Sequence, residues 1–528
     1  MSGHEGIPDP RNAGGEGVEE ATRRVLRWRI SRLHPRAFAV SSPRERGLAG
    51  RGKSRRGQGI LAIFAHISMV ESKDSQIATQ HRRQGDRRRS LSELLRIGAP
   101  IILGQLGIIT VNFADNIMVG KYHTDALASA SFVNNIYSVF FVLGMGFTYG
   151  LTPLISSSFA QGDQPRIGRL LRHSSLLNLW VGGALTLVLL GIYALLGLFN
   201  LPEHLLPQVR SYFILQLISF VVFMSSGALK QFFDGIGRTK VPMWIILTSN
   251  ALNIVGNYLL IFGKFGAPEL GLFGAGLSTL ISRVYMLLAL LYVLHRSRDL
   301  KVPYQAFRER GWRTPYIQRL FRLGLPIGVQ MGVEAGAWAF AILLITPLGV
   351  NALAVHQILV TLTMLGYLVY YGLGAATTIL VSRAQSMGDY SQARQTASTA
   401  LLLAEGAALV VMLGLFVLRH QVGHIFSDDP AVILMTAVAI IPMALYQPGD
   451  ALQVIYGNAL RGMEDVKHMT LYACAIHLVL APTLSFIFGF LLGIEDPGLR
   501  LTAIWSSFPI SLLLLGGLLY KRFYQITR

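Results

Sequence analysis

The sequence predicts an all-α integral membrane protein of about twelve transmembrane helices, in two six-helix bundles related by an internal repeat. Three observations predict it. Of the 528 residues, 52% are hydrophobic and only 14% are charged, against about 25% charged in soluble domains. The apolar blocks run to about twenty residues or more, enough to cross roughly 30 Å of hydrocarbon. The third observation is a second half that echoes the first at a constant spacing.

The first ninety residues stand apart. Residues 1–90 are rich in Arg, Gly and Ser without sustained periodicity, and hold about +10 of the net charge of +19; such a composition reads as a disordered extension. The apolar patch Ile60 to Val70 is too short for a span and too far along for an ordinary signal peptide. Gly47 to Ser54, "GLAGRGKS", matches a phosphate-loop pattern. That motif works only as a turn between a strand and a helix, and no strand precedes it, so the match reads as chance. Met69 is an alternative start site, which would make much of the extension dispensable. Because the charge sits here and in short loops, the basic balance does not point to nucleic acid. The single cysteine, Cys474, excludes an intrachain disulfide and any multi-cysteine metal site.

From Leu94 onward the expected spans are 94–119, 126–160, 173–199, 211–233, 241–262, 270–294, 319–346, 352–382, 397–418, 431–458, 468–491 and 498–520. Each must be helical, because backbone amides find no water in lipid. Residues 91–300 form the first lobe, 301–318 a linker and 319–528 the second lobe. One set of alternate loops carries about twenty Lys and Arg and the other about five. Basic loops stay in the cytoplasm, so both termini are expected inside a bacterial inner membrane.

The repeat joins the halves. "LLRIGAPI" from Leu94 answers "LFRLGLPI" from Leu320, "ALA" at Ala126 answers "ALA" at Ala352, and "GD" at Gly162 answers "GD" at Gly388. Every pair is 226 residues apart. Six helices per repeat is an even number, so the halves insert the same way up, about an axis along the membrane normal. Pro100 and Pro326 read as helix starts, where a missing N–H does no harm. Gly144, Gly146, Pro153, Gly372 and Gly374 would permit either bending or close packing.

With the loops and the arginines at the span ends set aside, six ionisable residues remain: Asp115, Lys230, Arg283, Glu334, Glu405 and Asp450. A charge at the bilayer centre costs at least about 2.5–3.5 kcal/mol, so each requires a reason. Glu334 is the only charged residue between Arg322 and Arg383. At the helical rise it lies roughly 18 Å beyond Arg322, and Asp450 roughly 16 Å before Arg461, so both sit near the midplane. Two carboxylates at one depth can hold a cation between them or share a proton. Shifted back by the repeat, they fall on Ile108 and Met224, so the first half has no counterpart. Alternative roles remain open: a packing residue for Glu334, a helix irregularity after "YQPG" for Asp450, and simple solvation for Asp115. Glu405 has no evident partner, and Arg283 and Lys230 read as counter-ions or snorkelling chains. Tyr137, Tyr367, Tyr370 and Tyr371 would face cationic substrates or pack and line the interface.

These residues resemble the multidrug and toxic compound extrusion (MATE) family over roughly residues 90–525. The resemblance is carried by "APIILGQLGIITVNFADNIMVG", "FFDGIGRTKVPM", "NALNIVGNYLLIFG", "GLPIGVQMGVEAGAWAF", "ALAVHQI" and "YQPGDALQVIYGNALRG". It implies a two-lobed exporter, not an enzyme, expelling cationic or amphipathic drugs in exchange for Na⁺ or H⁺ and using no cofactor beyond that ion. It also implies coupling roles for Asp115, Glu334 and Asp450, and marks Gln357 as a recurrent polar position. The pore lies within one chain, so a monomer suffices. The competing expectations are a lipid-linked oligosaccharide flippase, which would present cations to pyrophosphate, and a membrane-embedded enzyme. The interior of the second half is mainly acidic, which favours cationic cargo. No metal pair or nucleophile constellation occurs in the spans, and no filter sequence suggests a channel.

Overall fold

The computed structural model describes residues 55–199, 201–309, 311 and 313–528, with side chains from residue 87 onward. Among the described residues, twelve helices are long and apolar enough to cross a membrane. They are α1 (Arg87–Tyr122), α2 (Thr124–Ala160), α3 (Gln164–Ala194), α4 (Leu206–Gly235), α5 (Lys240–Phe262) and α6 (Gly271–Arg296), followed by α7 (Thr314–Leu348), α8 (Val350–Ser386), α9 (Tyr390–Phe426), α10 (Pro430–Gly462), α11 (Val466–Leu491) and α12 (Pro497–Ile526). Each overlaps one expected span and most run past it into the polar loops, although α3 stops at Ala194, short of the expected 199, and α6 starts one residue late. Hydropathy registers only the part in oil, whereas the helix continues until its end groups are capped. The third helix shows this. It begins at Gln164, nine residues before the expected 173, because the Asp163 carboxylate accepts from Arg166 N and Pro165 occupies the first turn.

Residues 1–54, including the phosphate-loop look-alike, lie outside the described residues. From Arg55 the backbone runs as helix into α1, where composition suggested no regular structure up to residue 90. The reason is local: beyond Arg55 the glycines thin out and Ala, Gln, Lys, Glu and Arg dominate, all good helix formers. The linker likewise contains a short helix, Lys301–Arg308. Pro326 is not a helix start. It lies twelve residues inside α7, which begins at Thr314, and membrane helices tolerate this because neighbours satisfy freed backbone groups. Thr470 Oγ1 donates to the Pro326 carbonyl at 2.8 Å.

The repeat is visible as physical joints. Gly162 (φ +72°) and Gly388 (φ +75°) each end a helix in the left-handed region, where glycine pays no Cβ penalty. Asp163 and Asp389 then cap the next helix through Arg166 N and Gln392 N. The repeated "GD" is therefore a stop-and-start hinge between spans.

The two bundles meet along α1 and α2 of the first and α7 and α8 of the second. A Cβ on Gly98 would stand 3.1 Å from Gly372 O, and one on Gly150 would stand 2.7 Å from Gly324 N. Glycine at these points lets backbones approach directly. Gly98 and Gly324 are repeat mates. Nearer the basic loops, Ser156 Oγ donates to Ile379 O at 2.8 Å and Ser382 Oγ donates to Pro153 O at 2.8 Å. Ser156 pairs with Ser382 and Pro153 with Ile379 at the same spacing of 226, so this reciprocal clasp obeys the two-fold relation of the halves. Arg383 reinforces it, donating to Ser156 Oγ and Gly235 O, each at 3.3 Å.

Candidate functional site

Within the second bundle, α7 and α10 face each other across a cavity of about 50 Å³. Glu334 projects into it from α7, with Gln330 one turn earlier on the same face. Opposite, α10 supplies Asp450 and, one turn on, Gln453. Asp450 is buried, with 1% of its surface exposed. Gln453 Nε2 donates to Asp450 Oδ1 at 3.0 Å and reaches Glu334 Oε1 at 3.5 Å, so one amide bridges the two carboxylates. Gln330 Nε2 donates to Glu334 Oε2 at 3.0 Å, and Gln330 Oε1 accepts from Arg461 Nη2 at 2.6 Å. The result is one hydrogen-bonded chain, Arg461–Gln330–Glu334–Gln453–Asp450.

The remaining walls are aromatic. Tyr367 and Tyr371 of α8 line the cavity, as does Tyr149 of α2, from the other bundle. The hydroxyls of Tyr149 and Tyr371 hydrogen-bond each other. One turn beyond Glu334, Trp338 packs against Tyr446, Trp505 and Phe508, closing that side with rings. The space admits a few waters, since about 10–15 Å³ suffices for one. It is far below the roughly 300–1,000 Å³ of a pocket for a drug-sized ligand.

Two carboxylates face one guanidinium here, leaving one negative charge uncompensated. Asp450 Oδ2 is buried with no hydrogen-bond partner among the described residues. An orphaned carboxylate oxygen beside a water-sized acidic cavity fits a small monovalent cation or a proton, because burying that oxygen unpaired is costly.

The first bundle holds a different polar interior. Asp115 of α1 accepts from Asn257 Nδ2 of α5 at 2.5 Å, and Asn257 in turn donates to Asn253 Oδ1 at 3.3 Å. Arg283 of α6 donates to Tyr137 hydroxyl at 2.7 Å and Ser219 Oγ at 2.6 Å. Its guanidinium also lies over the rings of Tyr137 and Phe223 at 5.5 and 5.7 Å. Lys230 is paired with Asp234 at 2.8 Å near the basic end of α4.

The expected residues are therefore divided. Glu334 and Tyr367 line one cavity, and Asp450 is joined to Glu334 through Gln453. Asp115 and Arg283 belong to the other bundle, Gln357 has an exposed position on α8, and Glu405 is partly exposed on α9. Reading charges alone missed Gln330, Gln453 and Arg461. Helical spacing was the available signal, since Gln330 lies four before Glu334 and Gln453 three after Asp450.

The MatE family model matches residues 100–259 and again residues 326–491. The chain belongs to the MATE family. Its two matches begin 226 residues apart, the spacing of the repeat. A probable multidrug resistance protein NorM of Bradyrhizobium diazoefficiens is 30% identical, covering 83% of this chain and 93% of that one. The multidrug resistance protein PmpM of Pseudomonas aeruginosa is 32% identical over 73% of this chain and 82% of its own. Among solved structures, an outward-facing multidrug resistance MATE family transporter of the MOP superfamily matches with TM-score 0.75. It is 19% identical, over 82% of this chain and 95% of that one. A eukaryotic MATE transporter matches with TM-score 0.72 at 19% identity, over 84% and 99%. At such identities the solved structures establish a shared fold. MATE membership sets the membrane-enzyme alternative aside: this is a transporter.

Proposed function

We propose that the chain is a secondary active multidrug exporter of the inner membrane, exchanging cationic or amphipathic compounds for one Na⁺ or H⁺ by alternating access. The bridging of Glu334 and Asp450 by Gln453 carries this reading. It ties a second, buried carboxylate to the one that lines the ion-sized cavity. Multidrug resistance proteins are among its relatives across most of the chain, which supports the substrate class.

The bundle contacts supply the rest of the cycle. The serine clasp and the close glycine approaches lie toward the basic loops, which the positive-inside rule assigns to the cytoplasm together with both termini. In this arrangement the cytoplasmic side is sealed. Ion binding at Glu334 and Asp450 favours one arrangement of the bundles and drug binding the other, so each ligand drives release of its rival. A lipid-pyrophosphate flippase would need the opposite charge in its interior.

Ethidium efflux from proteoliposomes under imposed Na⁺ or H⁺ gradients tests this. Wild type is expected to export dye under one gradient, which names the ion, while correctly inserted Glu334→Gln and Asp450→Asn do not. Wild type inert under both gradients, or variants as active as wild type, would overturn the reading.

A further inference from the structure

A cavity built to receive a cation also contains a resident one. Arg461 stands near the end of α10 and lines the same space as Glu334. A guanidinium has five donors and no acceptor. Arg461 Nη2 meets Gln330 Oε1 at 2.6 Å, Nη1 meets Asn458 Oδ1 at 3.4 Å, and Nε is buried without a partner among the described residues. Its carbon lies 6.0 Å from the centre of the Tyr149 ring, which belongs to the opposite bundle.

The donor-only character of arginine fixes the neighbouring amide. Gln330 must turn its oxygen toward Arg461, and therefore its NH₂ toward Glu334. Remove the guanidinium, and Gln330 can rotate by half a turn and present its oxygen to the carboxylate instead. The same guanidinium is covered by Tyr149 only while the bundles are together on this side. The Tyr149–Tyr371 hydroxyl contact spans the same junction. One side chain thus touches both the orienting amide and the opposing bundle.

We infer that Arg461 is a positioning residue: acting through Gln330, it holds on Glu334 a donor that competes with the coupling ion, and it does so only while Tyr149 closes over it. This rests on the ion-coupling role proposed for Glu334. It gives the bundle contact a physical route to the ion site. Closure fixes the guanidinium, the guanidinium fixes the amide, and the amide sets the oxygen that the ion meets. By reciprocity, an ion that displaces this donor from Glu334 opposes closure. The titratable and charged groups facing Arg461 are Glu334 of α7, Tyr149 of α2, and Tyr367 and Tyr371 of α8.

The test is ethidium efflux by the full chain in proteoliposomes, with external Na⁺ titrated at fixed pH and, separately, H⁺ titrated without Na⁺. Arg461→Gln and Gln330→Met are each expected to lower the half-saturating concentration of the driving ion about tenfold, while the KM for ethidium stays unchanged. The double variant is expected to shift it no further than either single one, because the two residues act in series. Tyr149→Ala should shift ion dependence in the same direction, whereas Tyr149→Phe, which keeps the ring over the guanidinium, should shift it less. If Arg461→Gln does not fold, Arg461→Lys, which keeps the charge but loses the planar fork, takes its place and should shift in the same direction. Additive effects, an equal change in ethidium KM, or an unchanged ion dependence would overturn the inference. Should Glu334→Gln itself leave coupling intact, the proposed function fails first; should it abolish coupling while Arg461→Gln and Gln330→Met change nothing, only the present inference fails.

Discussion

In the first bundle, Asp115 shares its interior with Arg283, and Lys230 is paired with Asp234, so every carboxylate has a cation in the same bundle interior. In the second, Glu334 lines a cavity with Arg461, and the buried Asp450 is tied to Glu334 through Gln453. Yet the bundles contact each other through repeat mates: Gly98 and Gly324, and Ser156 and Ser382. Duplication preserved what holds the halves together and let the interiors diverge. Symmetry is useful where two similar bodies must rock against each other, because both then present the same surface to the joint. It is of no use at a site that needs one ion per cycle, where a single unbalanced charge is enough.

Removing the unbalanced charge should break this comparison most severely. Glu334→Gln and Asp450→Asn are each expected to cut gradient-driven ethidium efflux at least about tenfold, with normal membrane insertion. Asp115→Asn should reduce it less. Comparable losses for Asp115→Asn would erase the distinction between the bundles.

Crowding the joint comes next. Gly150→Val places atoms where Gly324 N already lies 2.7 Å from the Cβ position, and overpacking of this kind costs about 1–3 kcal/mol. The bundles should part on the basic side. In a Cys474→Ala background, maleimide labelling of a cysteine at the buried Ala384 is expected to rise.

Loosening the clasp is a finer probe. Ser382→Ala removes one hydrogen bond, worth about 0.5–1.5 kcal/mol, and Ser156→Ala removes two, since Arg383 also donates to Ser156 Oγ. Ser156→Ala should therefore raise labelling at Ala384→Cys more than Ser382→Ala, and the pair more than either. Equal effects would show that the Arg383 contact adds nothing to the joint. At the bottom of the scale, Glu405→Gln and Gln357→Ala should leave efflux within about twofold of wild type, since neither residue joins the cavity.

Most of the fold was legible because lipid allows so few solutions: twelve apolar stretches had to be twelve helices. The helix ends were less legible, as α3 shows, because Asp163 sets that boundary through a cap and not through hydropathy. Pro326 misled for a related reason. The rule for helix starts was applied to a proline that sits mid-helix, which membrane helices tolerate. Of the candidate site, Glu334 and Asp450 stood out because an isolated charge in oil is conspicuous. Gln330 and Gln453 did not, since an uncharged amide is cheap enough to be passed over. Arg461 was taken for a boundary marker. Only the folded arrangement shows it reaching inward to Gln330, since depth along a helix says nothing about where a long side chain turns.

The central claim is that ion chemistry resides in the second bundle, and counting ions tests it most directly. Purified protein would be loaded with the driving ion and challenged with ethidium, and released Na⁺ or H⁺ measured with an electrode or indicator dye. The account predicts release of one ion per chain from wild type and from Asp115→Asn, and none from Glu334→Gln or Asp450→Asn. Release that survives in the last two variants but vanishes in Asp115→Asn would place the coupling ion in the first bundle and contradict it.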